Sequence, residues 1–134
     1  MIERGFLDVK TFKDVISARG TKKLITIEPA QTVAEAVALM KKYDIEQLPV
    51  MNGDGPVGAI SEGGLFQKIF DNPEIKNSKV EDVIEPSLPI VAFDTPVEKL
   101  SHLINKGNGA VLSKDDGGNY HIITKYDVLQ ALGN

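Results

Sequence analysis

The segment Ile122-Ile123-Thr124-Lys125-Tyr126-Asp127 holds the residues best suited to chemistry in this 134-residue chain. An apolar β-branched run meets a hydroxyl, and a carboxylate follows three residues later. If the run is a strand and the remainder opens a helix, Thr124 and Asp127 lie beside N–H groups with no partner inside the helix. Such a start attracts anions, and an ionised Asp can accept two hydrogen bonds from a ribose 2′,3′-diol. The same Thr-x-x-Asp spacing is also a weak capping box that serves the helix alone. Both readings stay open on these residues. The segment Ser61-Glu62-Gly63-Gly64 lies 63 residues earlier and has glycine where Asp127 stands. A helix is therefore expected to start there without an acid, which leaves a carboxylate at one of the two starts only.

Other chemistries are poorly supplied. The chain has no cysteine, which removes thiol catalysis, disulfides and Cys-type zinc sites together. His102 and His121 stand alone and read as packed or surface residues. There is no phosphate loop, no Gly-x-Ser-x-Gly elbow, no His-Glu-x-x-His and no dinucleotide fingerprint. Gly53, Gly55 and Gly58 fit a hairpin turn and its exit, and Lys106-Gly107-Asn108-Gly109 fits a helix stop. Asp115-Asp116 reads as a solvated turn, because no further oxygen ligands follow at calcium-loop spacing. Fifteen basic against nineteen acidic residues leave a net charge of −4, which disfavours duplex nucleic acid. With five Phe, three Tyr and no Trp, stacking platforms for single strands are also few. No apolar run approaches the roughly 20 residues of a membrane span, and no signal peptide pattern opens the chain. A cytoplasmic, non-catalytic binding protein with no nucleic-acid or membrane partner is expected.

The elements that must position Thr124 and Asp127 can be read outward from them. Thr11 and Asp14 have the look of a helix cap, with Gly20 as the stop of a lead-in helix. Leu24–Ile27 reads as a strand. Thr32-x-x-Glu35 is a capping box for a helix whose Val33, Ala36, Val37 and Met40 share one face. Gln47–Met51 and Val57–Ile60 read as a hairpin around the turn residues 52–56, and Ser61 opens a helix carrying Leu65, Phe66, Ile69 and Phe70. The order then recurs. Leu88–Ala92 is a strand, and Thr95-Pro96-Val97-Glu98 reads as a capping box with Pro at the first helical position. That helix runs through Leu100, Leu103 and Ile104. Strands at 109–112 and 120–123 follow, and Thr124 opens the last helix through Val128, Leu129 and Leu132. Thr32 and Thr95 are 63 residues apart, as are Ser61 and Thr124, whereas Val50 and Val111 are 61 apart. Five elements recurring in order imply an internal duplication whose halves form one pseudo-symmetric α+β domain.

These residues together resemble the CBS domain. The β-α-β-β-α unit with a capping threonine, a Pro-Val strand at Pro49-Val50, a glycine at the hairpin exit and Ser/Thr-x-x-Asp are its features. Such domains occur in tandem pairs (Bateman modules) that bind adenosyl ligands. The resemblance covers about 22–133. Glu3-Arg4-Gly5-Phe6-Leu7, Gln47-x-Pro49-Val50, Leu100-Ser101-His102 and Ile123-Thr124-x-x-Asp127 look most like the C-terminal regulatory region of the cystathionine β-synthase family. Nothing here resembles that family's pyridoxal-phosphate catalytic domain.

The resemblance implies a lead-in linker and helix over 1–21, a first CBS repeat over 22–76 and a second over 77–134, packed as one module. It implies no catalytic residues, no metal and no catalytic cofactor. The implied ligand is S-adenosylmethionine or AMP, held by Thr124, Asp127, Ile122 and Ile123 with Lys22, Lys23, Ile45 and Gln47. Asp127 would take the ribose diol and Ile45 with Ile122 would sandwich the purine. Backbone groups near Ile123 would read the purine edge, and Thr124 would face the phosphate or the methionine tail. Ile45 is aliphatic where relatives place an aromatic, and Lys22-Lys23 is more basic than the pattern, which favours AMP. The expected function is regulation of a cystathionine β-synthase-like catalytic domain through ligand-dependent repeat packing, in a homodimer. The alternative is a ligand-free dimerisation module in which Thr124–Asp127 is only a cap.

Overall fold

The structure, a computed structural model, describes residues 10–20, 22–105 and 108–133. The architecture is α+β, with a two-stranded and a three-stranded sheet among the described residues. The chain forms two compact units. One is continuous, Ile25–Leu88, and the other combines the segment ending at Leu24 with Pro89 onward. Val80 and Val83 lie beyond residue 76, yet both are buried in the core of the continuous unit.

In the discontinuous unit, helix α1 (Phe12–Arg19) starts at a capping box. Asp14 N–H donates to Thr11 Oγ1, and Thr11 N–H donates to the Asp14 carboxylate. Its apolar residues Phe12, Val15 and Ile16 are buried with Val97, Leu100, Val111, Ile123 and Val128. The lead-in helix is thus part of a core and not an appendage to one. The main chain fastens it as well. Phe12 N–H donates to the Thr95 carbonyl and Val97 N–H to the Lys10 carbonyl, both at 2.8 Å.

That pairing displaces an expected feature. The helix Val97–Leu103 has Pro96 at its N-cap with no side-chain cap bond, so the Thr95–Glu98 capping box does not form. The Lys10 carbonyl takes the first helical N–H instead, and Thr95 is buried. Strand β3 (Ile90–Val91) is shorter than the expected 88–92 and pairs in parallel with β4 (Ala110–Lys114). Strand β5 (Tyr120–Thr124) pairs antiparallel with β4 and runs directly into the last helix, Lys125–Gly133.

The continuous unit repeats the scheme. Thr32 and Glu35 form the capping box of the helix Val33–Tyr43, whose Val33, Ala36 and Met40 are buried. Strands β1 (Gln47–Asn52) and β2 (Gly55–Ser61) form the hairpin, and the helix Glu62–Asp71 follows from Ser61. The expected strand 24–27 contributes one parallel bridge, Ile27 to Val50. Beyond the other edge of the hairpin, Glu85 pairs antiparallel with Ala59. Gln47 faces Ser61 in the hairpin as Ala110 faces Thr124 in the other unit. The strands therefore keep the 63-residue spacing, and the spacing of 61 between Val50 and Val111 does not reflect their register.

Gly58 is fixed by that edge pairing. A Cβ there would collide with the Ile84 side chain and lie 2.7 Å from the Glu85 carbonyl. Gly58→Ala is expected to destabilise the chain by about 1–3 kcal/mol, the range for overpacking, as read by urea denaturation.

The acid limb of stability has two identified contributors. The Asp115 carboxylate lies 2.8 Å from His121 Nε2 and accepts N–H bonds from Asn119 and Gly117. His121 first, and Asn119 next, hold its carboxyl below the ordinary range. The Thr32 N–H, then the Gln31 amide, do the same for Glu35. A carboxyl whose pKa is lower folded than unfolded stabilises fully above the unfolded value, and that gain is lost as pH falls through the folded value. Stability is expected to decline below about pH 4, and Asp115→Asn should flatten that decline in melts across pH 2–6.

Candidate functional site

The junction of β5 with the last helix is built from the residues singled out in the sequence. Thr124 N–H donates to Asp127 Oδ2 at 2.9 Å, and the Thr124 hydroxyl reaches the same oxygen at 3.3 Å. Asp127 thus supplies the carboxylate-to-N–H half of a Thr-x-x-Asp capping box. It also does more. Arg19 Nη1 donates to that same Oδ2 at 2.8 Å, with side chains 15% and 18% exposed. Three donors converge on one oxygen, while Oδ1 takes no hydrogen bond among the described residues.

Arg19 was not among the residues expected at the site. Its sequence signal is its place in α1: positions 12, 15, 16 and 19 share one helical face, and the first three are core residues. A cation on a buried stripe needs a partner, and Asp127 is that partner. Arg19 Nε is buried and has no hydrogen-bond partner among the described residues.

The remaining expected residues are placed unevenly. Ile123 is fully buried and faces Val111 across the sheet. Ile122 is half-buried opposite Leu112. Lys22 and Lys23 are exposed in the extended segment after α1. Ile45 and Gln47 belong to the continuous unit. There Ile45 packs against the core, its N–H bonded to the Met40 carbonyl, and Gln47 opens β1 opposite Ser61. Among the described residues no three His, Asp or Glu side chains gather as a metal site would need. No helix there is long and apolar enough to cross a membrane.

The Ser61 junction corrects the expectation that it lacks an acid. Glu85 Oε2 accepts the Ser61 N–H at 3.0 Å, and Oε1 accepts the Ser61 hydroxyl at 2.8 Å. This matches what Asp127 does for Thr124, with the carboxylate arriving from 24 residues downstream. Ser61 Oγ accepts the Gly64 N–H as the helix cap. A Cβ at Gly64 would lie 2.6 Å from Glu85 Oε2, so glycine clears the space the acid occupies. The two junctions differ in countercharge. Asp127 is paired with Arg19, whereas Glu85 has no ion pair among the described residues.

Comparison with known proteins gives one consistent family. The profile of the CBS domain matches residues 12–71. The fold superposes on a crystal structure of a CBS domain with TM-score 0.82 at 21% identity, covering 94% of this chain and 99% of that one. It also matches CBSX2 in complex with AMP, with TM-score 0.69 at 22% identity over 91% and 95% of the two chains. An uncharacterised 17.7 kDa protein of Acidianus ambivalens is 30% identical over 120 residues, covering 87% of this chain and 72% of the relative. Cystathionine β-synthase of Dictyostelium discoideum is 30% identical over 117 residues, covering 82% of this chain. Several curated relatives are much longer, and the chain spans 38%, 22% and 23% of three of them, the last being that synthase. Residues 12–71 thus match a CBS domain by sequence, and the chain has the fold of CBS-domain structures over nearly its full length.

Proposed function

We propose that the chain is a regulatory module that binds an adenosyl ligand, S-adenosylmethionine or AMP, at the Thr124–Asp127 junction. The observation that carries this reading is a largely buried carboxylate whose Oδ2 is held in place while Oδ1 takes no hydrogen bond among the described residues. A fixed carboxylate oxygen suits a ribose hydroxyl, and the neighbouring Thr124 hydroxyl suits the group attached to the ribose. The AMP complex of CBSX2, a protein of the same fold, supports an adenosine nucleotide. The roles of Ile122 and the Ile123 main chain on the purine, and of Lys22, Lys23, Ile45 and Gln47, rest on the family resemblance. The regulated partner we infer is a catalytic domain of the cystathionine β-synthase kind, supported by the 30% identity to that enzyme's relative. Occupancy alters the partner only through differential affinity for two states of the module.

Asp127→Asn tests the assignment. The amide keeps an oxygen for the Thr124 N–H and removes the charge. Hydrogen bonds to a charged group are worth about 1.5–3 kcal/mol, so calorimetric titration with AMP should show binding weakened at least about tenfold. Undiminished affinity in a folded variant would leave the junction as a helix cap.

A second reading, self-association, is favoured by separate observations on two helices. Phe66 and Phe70 are 68% and 73% exposed on the Glu62–Asp71 helix, with rings stacked at 6.1 Å. Tyr126 and Leu129 are similarly exposed on the last helix. Leu65 and Val128, also expected on these faces, are buried in their own units instead. Such clustered aromatic surface is suited to a second copy of the chain. Sedimentation should give a dimer that Phe66→Ser with Phe70→Ser converts to monomer.

A further inference from the structure

We propose that Arg19 sets the charge selectivity of the Asp127 site and makes it a site for nucleoside monophosphates in place of cationic adenosyl ligands. The inference rests on the reading of Asp127 as the ribose-binding acid and extends it to a residue outside the Thr124–Asp127 segment.

Three observations carry it. First, Arg19 and Asp127 form a pair of zero net charge, with Nη1 and Oδ2 at 2.8 Å and both side chains more than four-fifths buried. A ligand that brings a sulfonium and an ammonium to this pair meets a guanidinium, and Asp127 is already neutralised. A ligand that brings a phosphate meets a cation. Second, the pair engages only part of the guanidinium. Nη1 serves Asp127, while Nε is buried with no acceptor among the described residues. A buried donor without an acceptor is unfavourable, and the fork of Nε–H with its neighbouring N–H matches two oxygens of a phosphate. Third, Oδ2 is oversupplied. It holds the Thr124 N–H and hydroxyl as well as Arg19, so Asp127 stays anchored to the helix start if the guanidinium turns to an incoming anion.

The contrast between the two junctions supports the assignment. At Ser61 the carboxylate of Glu85 is held by two donors and has no ion pair among the described residues. Charge selection toward anions is therefore assigned to the Asp127 junction alone. Lys22 and Lys23 lie exposed three and four residues beyond Arg19 and add positive charge on the same segment.

The test is a calorimetric titration of the full chain with AMP, adenosine and S-adenosylmethionine, using the wild type, Arg19→Gln, Arg19→Lys and Asp127→Asn. Folding of each variant is checked by circular dichroism melts. A fork-to-phosphate contact should make AMP bind at least about tenfold tighter than adenosine in the wild type, with S-adenosylmethionine weakest. Arg19→Gln should abolish most of the AMP preference while leaving adenosine within about twofold, because the neutral side chain keeps size without charge. Arg19→Lys should retain part of the preference, and raising the salt concentration should lower AMP affinity more in the wild type than in Arg19→Gln. An unchanged AMP-to-adenosine ratio in a folded Arg19→Gln, with Asp127→Asn weakening both ligands, would leave the site standing and reduce Arg19 to a structural tie. Tighter binding of S-adenosylmethionine than of AMP by the wild type would also overturn the proposal. No binding of any of the three ligands would overturn the site and the proposal together. If Arg19→Gln does not fold, Arg19→Lys decides: a ratio equal to that of the wild type overturns the role of the fork.

Discussion

A single carboxylate oxygen, Oδ2 of Asp127, organises the discontinuous unit. Set in the first turn of the last helix, it receives a main-chain N–H and a hydroxyl from Thr124 at the end of β5 and a guanidinium from Arg19 at the end of α1. With side chains 15% and 18% exposed, each member of the ion pair is poorly hydrated and needs polar partners inside the protein or from a ligand. The geometry that fixes the acid therefore also fixes the lead-in helix. Phe12, Val15 and Ile16 supply its apolar contacts, and the Lys10–Val97 and Phe12–Thr95 main-chain bonds set its register.

The two strand-to-helix junctions show one requirement met by two routes. A strand that turns straight into a helix leaves N–H groups in need of acceptors. At Thr124 the acceptor is local, three residues along. At Ser61 it comes from Glu85, carried there by the edge pairing of 85 with Ala59. The second route constrains the hairpin more severely, because Gly58 and Gly64 must both stay without a side chain to let the returning segment approach. Duplication has preserved the hydrogen bonds at the junction while changing the residue that provides them.

What could be read from the sequence divides along the same line. The capping boxes at Thr11 and Thr32, both hairpins and both junction helices are set by residues within four positions of one another, and each stands where the pattern put it. Features decided by distant partners were less legible. Thr95 has the right spacing for a capping box, yet the helix starts one residue later with Pro96 at its N-cap, and Thr95 is buried with its carbonyl bonded to the Phe12 N–H. The edge strands at 24–27 and 88–92 shorten to a bridge and two residues, because apolar composition does not say how much of an edge finds a neighbour. Of the site, the Thr124–Asp127 junction was legible from local spacing. Glu85 gives no local signal at all, and Arg19 gives one only when the helix face it shares with Phe12 is drawn.

The discontinuous core also orders events during synthesis. Residues 25–88 hold a complete apolar cluster in one stretch of chain, so this unit can close once Leu88 has left the ribosome. Helix α1 is made earlier but its partners Val97, Leu100, Val111, Ile123 and Val128 come later. The helix must wait, with Phe12 and Ile16 uncovered, while the intervening unit forms and a long loop is closed over it. The nascent chain thus carries an exposed apolar segment that the last third of translation retires, which makes that interval the one in which chaperone capture or misassembly would act.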